Sequence, residues 1–157
     1  MKKLLFIFAA LLLAGVANAQ SNKEEIDLIQ SVFGMEKKAL VADFMSLDGS
    51  KGDAFWTLYD EYETKRKELG KDRLNALSNY VENYDKLADD KYNEVVASMI
   101  SLRKSNDKLI DTYYKKIKKA SGSKIAAQFF QLENYFLSEI RSSVMEGIPY
   151  IGEFDKK

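Results

Sequence analysis

Apolar residues recur at steps of three and four along almost the whole chain after residue 20. No stretch alternates apolar and polar positions over the length of a strand. This periodicity predicts an all-α fold of four helices. The first covers about 23–46, with Ile26, Ile29, Val32, Phe33, Leu40, Val41 and Phe44 on one face. Ser21 followed by Glu24 has the spacing of a capping box, and Gly34 marks either a bend or a late start to the stable part. The second covers about 51–87, with Phe55, Tyr59, Tyr62, Leu69, Leu77, Tyr80, Tyr84 and Leu87 in register and Arg66 and Arg73 filling the missing beats. At 1.5 Å per residue it would reach roughly 55 Å, longer than a compact domain of this size is wide. Such a helix must protrude, bend or be covered by a second chain, and Gly70 is the expected bend.

The third helix, about 91–119, carries Tyr92, Val95, Val96, Met99, Leu102, Leu109, Ile110, Tyr113 and Ile117, with Asp89 or Asp90 as its cap. The fourth, about 124–146, carries Ile125, Phe129, Leu132, Phe136, Ile140 and Val144, and Gly147-Ile148-Pro149 stops it. The tail from Tyr150 to Lys157 is expected to be loose or docked as extended chain. The breaks at 47–50, 88–90 and 120–123 are short, which forces antiparallel neighbours. The expected product is an elongated antiparallel helical hairpin flanked by two further helices, in one domain over residues 20–157.

The first residues follow another pattern. Lys2 and Lys3, an apolar run from Leu4 to Val16 and then Ala17-Asn18-Ala19 read as a bacterial secretory signal peptide, residues 1–19, cleaved after Ala19. The run is too short for a lasting membrane span, which needs about 20 apolar residues, and no later segment comes close. The expected location is periplasmic, or outside the cell. With no cysteine, the chain can be neither a bacterial lipoprotein nor a disulfide scaffold.

Composition removes several function classes. The 24 basic and 24 acidic residues balance, and cleavage would remove two lysines and no acid. A chain without a basic field is a poor binder of nucleic acid. Lacking histidine and cysteine, it cannot build a Ser–His or Cys–His nucleophile, a Glu-x-x-His di-metal site or a zinc site. Asp60-Glu61 and Asp89-Asp90 could in principle hold a hard cation, but they read better as solvated helix faces and a cap. Long helices with short turns leave little room for the cleft that a carboxylate pair would need. Ser50/Lys51 and Ser123/Lys124 could in principle supply Ser-Lys catalysis, but capping explains the serines more simply. The expectation is a non-enzyme without cofactor or metal.

One short pattern occurs twice. Leu47-Asp48-Gly49-Ser50-Lys51 opens the second helix and Ala120-Ser121-Gly122-Ser123-Lys124 the fourth, with Trp56 and Phe129 at the same offset downstream. Asp48, Ser50, Ser121 and Ser123 are the expected caps, although Lys51 and Lys124 stand where a capping box would place an acceptor. Both copies, the signal peptide and the four-helix layout resemble the Spy/CpxP-like family of periplasmic helical proteins. That family carries an LTxxQ motif at these places; here it is degenerate. The resemblance implies a homodimeric, ATP-independent chaperone that holds unfolded or envelope proteins. It also implies the alternative of a regulatory adaptor on one envelope partner, such as a stress-sensor kinase. A purely structural coiled-coil element is a third reading.

The aromatic and basic residues keep two readings each. The tyrosines of the main stripes are core with hydroxyls at the bundle edge, or line a groove for apolar client segments. Trp56 and Tyr114 lie beside the stripes and are the candidates for partner contact. Lys115, Lys118 and Lys119 offset the helix dipole, or form with Tyr114 a patch for acidic segments or anionic headgroups.

Overall fold

The computed structural model describes residues 21–84 and 89–153, so the expected signal peptide and Leu87 lie outside the described residues. Four α-helices form, with no strand among the described residues: α1 (Ser21–Met45), α2 (Gly49–Glu82), α3 (Asp89–Ser121) and α4 (Ser123–Gly147). Each runs antiparallel to the next. Lys71 of α2 meets Asp27 of α1 at 2.8 Å, and Lys38 pairs with Asp60 at the other end of the same two helices. The Tyr62 and Tyr113 rings meet at 5.5 Å between α2 and α3, and Tyr114 and Phe130 at 5.8 Å between α3 and α4. The α2–α3 hairpin is the spine. Both α1 and α4 pack on it, and they also touch each other.

Two apolar clusters hold the helices together. The larger joins Val41, Phe55, Tyr59, Tyr62, Ile117 and Phe129 from all four helices, and the smaller joins Ile26, Ile29, Phe33 and Leu74. A fully buried side chain of this size contributes roughly 1.5–3 kcal/mol relative to its exposed state.

Several expectations are corrected. At Gly70, the expected bend, α2 continues as unbroken helix. The glycine's missing side chain instead makes room for α1: a Cβ there would lie 2.3 Å from the Gln30 Oε1. Gly34 likewise lies within a continuous α1. The apolar face of α1 is rotated from the expected one, because Gln30 and Lys37 are buried and Phe44 is 57% exposed. In α3, Ile110, Tyr113 and Ile117 are buried, whereas Val96, Met99 and Ile100 remain exposed.

The caps also differ. Asp48 stands at the N-cap of α2 but its side chain makes no capping hydrogen bond, and Ser50 falls inside the first turn. The N-cap of α4 is Gly122, with Ser121 the last residue of α3 and Ser123 the first of α4. Gly122 has φ 99°, in the region that favours glycine, so the chain reverses there without a side-chain cap. The buried Ser121 hydroxyl instead donates to the Lys51 carbonyl at 2.9 Å and ties the two motif copies together.

The tail is docked. Tyr80 donates its hydroxyl to the Pro149 carbonyl at 2.8 Å and Tyr84 to the Tyr150 carbonyl at 2.6 Å.

Candidate functional site

A cavity lies along the uncovered start of α3. Here residues of α2, α3 and α4 line a groove of about 710 Å³, within the usual range of small-ligand sites. Its walls are Leu77 and Tyr80 from α2, Val95, Met99 and Leu102 from α3, and Val144 and Ile148 from the end of α4 and beyond it. Arg73, Arg103 and Arg141 also line it. Burial, with the like charges of Arg141 and Arg66, lowers the Arg73 guanidinium from its ordinary range. A guanidinium still keeps its proton at any physiological pH.

The interior beside the groove is polar, which the apolar pattern gave no reason to expect. The Lys37 side chain is fully buried, and its ammonium lies 2.5 Å from Glu63 and 2.7 Å from Glu133. The rings of Tyr59, Tyr62 and Phe136 surround it within 5.6 Å. Tyr62 donates to Glu133 at 2.6 Å, and Arg66 reaches Glu63 at 2.9 Å and Gln30 at 3.1 Å. Burial raises the Glu133 carboxyl above the ordinary range; Lys37 pulls it back and Glu63 pushes it up. Taking these charges out of water is costly, and the matched pairs offset that cost without a large surplus. The network joins the two apolar clusters, because Lys37 sits among rings of the larger and Arg66 lies over Phe33 of the smaller. It sets how α1 and α4 register on α2.

The residues expected to contact a partner are not gathered at one place. Trp56 is half-buried on the α1 side, in a shallow depression with Met35, Ala39, Ala42 and Leu47, and Lys38 lies over its ring. Tyr114 packs instead on Phe130 of α4, with Lys118 over its ring at 6.0 Å. Lys115, Lys118 and Lys119 are exposed at the end of α3. The Ser121–Lys51 bond brings that end of α3 to the start of α2, opposite the groove. Among the described residues no three acidic side chains gather as a metal site would require. No described helix is long and apolar enough to cross a membrane.

Sequence reasoning missed Lys37, Glu63 and Glu133 because charged residues at helical spacing read as solvent face. Arg66 and Arg73 left a trace, as charges standing in an apolar stripe. Comparison with known proteins finds no match to a family model, to a curated protein or to a solved structure.

Proposed function

We propose that this protein is a non-catalytic binding protein of the periplasm that holds exposed apolar segments of unfolded or envelope proteins without nucleotide. The observation that supports this most is the apolar surface left open by its own fold. Val96, Met99 and Ile100 of α3 and Met145 of α4 are all about 40% exposed or more, along a groove open to solvent. On the other side Leu28, Met35 and Phe44 of α1 are more than half exposed. Apolar side chains in rows of this kind mark interaction surfaces. The resemblance to Spy/CpxP-like proteins and the signal-like start of the chain point the same way. The homodimer belongs to the same proposal, formed through the long α2 and α3, and sedimentation at micromolar concentration tests it.

The decisive experiment is suppression of aggregation of several denatured proteins at stoichiometric ratios. The expected result is protection of more than one client without ATP. Protection of none would overturn the reading, and crosslinking in the envelope to a single saturable partner would favour the adaptor instead.

A further inference from the structure

The arginines of the groove come from three different helices and converge at one end of it. The Tyr62–Tyr113 contact fixes α2 against α3. Arg73 lies about three turns past Tyr62, and Arg103 about three turns before Tyr113, so the antiparallel register brings them to one level. Arg141 reaches Asp107, about one turn along α3 from Arg103, at 3.4 Å. Arg141 also stands close enough to Arg73 to perturb it electrostatically. The other charged pair on the walls, Lys91 with Glu94 at 2.8 Å, belongs to the opposite, outer end. Arg73 and Arg103 have no carboxylate partner among the described residues. Arg73 is half-buried, so solvent answers its charge only in part.

From Arg73 outward the groove follows α2 to Asn83, a distance of roughly 15 Å at the helical rise. Leu77, Val95, Met99, Leu102, Val144 and Ile148 wall it. An occupant matching this shape is apolar along its length and anionic at its inner tip. An extended peptide would bring a backbone donor and acceptor at every residue, and the six apolar side chains offer them no partner. Of the polar lining, Asn79 and Asn83 are bonded to each other and Tyr80 to the Pro149 carbonyl, which leaves Ser98, too few to satisfy them. An acyl chain brings neither donor nor acceptor. A carboxylate suits guanidinium groups, which donate two parallel hydrogen bonds to its oxygens.

We propose that the groove binds a single-chain anionic amphiphile of the fatty-acid class, with its carboxylate at Arg73 and Arg103 and its acyl chain along the apolar walls. This small-molecule site goes beyond the holding of polypeptides and does not depend on it, since the aggregation assay tests that activity separately.

The test is calorimetric titration of the purified protein with dodecanoate below its micellar concentration, beside dodecanol of equal chain length. Saturable binding of one dodecanoate per chain is expected, at least tenfold tighter than the alcohol. Arg73→Gln and, separately, the exposed Arg103→Gln should each weaken the acid about tenfold and leave the alcohol unchanged. Lys115→Gln with Lys118→Gln, at the far end of α3, should leave both affinities as they were. Equal binding of acid and alcohol, absence of binding, or undiminished acid binding in both arginine variants would overturn the proposal. So would displacement of dodecanoate by an acidic apolar peptide that binds more tightly. The acid–alcohol comparison uses the unaltered protein, so it holds even if Arg73→Gln disturbs the fold.

Discussion

The ammonium of Lys37 lies 2.7 Å from a carboxylate oxygen of Glu133, and both side chains are almost wholly shut away from water. Neither could be buried alone. Replacing Lys37 by Met leaves Glu133 buried and near Glu63 with no cation of its own, which should cost about 3–5 kcal/mol. Replacing Glu133 by Gln in the same chain removes the stranded charge and should restore most of that loss. Urea unfolding of the two single variants and the double variant measures the coupling. Additive effects would mean that the contact carries no energy.

The raised pKa of Glu133, caused first by burial, gives the network a pH signature. A folded value above the unfolded one means that the folded state binds the proton more tightly. The contribution of this group is therefore fully present below the ordinary glutamate value and is lost as pH rises through the raised one. The Glu133→Gln variant has no such proton. The stability of the unaltered protein relative to that variant should therefore fall with rising pH across this window. Urea midpoints taken from about pH 4 to about pH 8 bracket the ordinary glutamate value and check the slope. A flat difference would show that Glu133 ionises as freely folded as unfolded.

Tyr59 and Tyr62 supply the alkaline counterpart. Burial first, then the charge of Glu133, raises both phenols well above their ordinary range. The unfolded chain ionises these hydroxyls near the usual tyrosine value while the folded chain does not. Their stabilisation is present below that value and is lost as pH rises beyond it, at up to about 1.4 kcal/mol per pH unit for each group. Ultraviolet titration should show Tyr59 and Tyr62 ionising only as the helices melt. Replacing both buried tyrosines by phenylalanine should remove that late step.

Gly70 allows a packing test. A methyl group there meets the buried Gln30 carboxamide, which accepts a hydrogen bond from Arg66. Alanine favours the helix by up to about 1 kcal/mol, but displacing Gln30 strands buried polar groups at about 1–3 kcal/mol. Gly70→Ala alone should thus destabilise by about 1 kcal/mol, the balance of these two effects. Combined with Gln30→Ala it should recover stability relative to Gln30→Ala alone. Thermal unfolding of the four chains decides it, and a stabilising single substitution would show that Gln30 has room to move.

The open face of α3 allows a functional test. Val96→Asp with Met99→Asp places charge where the fold buries little, so unfolding stability should change by no more than about 0.5 kcal/mol. Protection of denatured clients should fall severalfold. Unchanged protection with an intact fold would move client contact elsewhere, to Trp56 or to the exposed face of α1.

The sequence by itself determined the helices and their order, because a 3.6-residue period and short breaks leave little else for these segments to do. It also supplied most of the larger core, since Phe55, Tyr59, Tyr113, Ile117 and Phe129 stand in unbroken register. Only the tertiary structure decided which charged residues go inside. Lys37 carries the same side chain as the solvent-facing Lys38 beside it, and it is buried only because Glu63 and Glu133 arrive from two other helices to neutralise it. The same is true of the groove. Val95 and Met99 belong to a stripe that reads as core, and Arg73 and Arg103 are far apart in the chain. An open cavity with a cationic end exists because side chains of three helices line it, and periodicity within one helix holds no information about the distance to its neighbours.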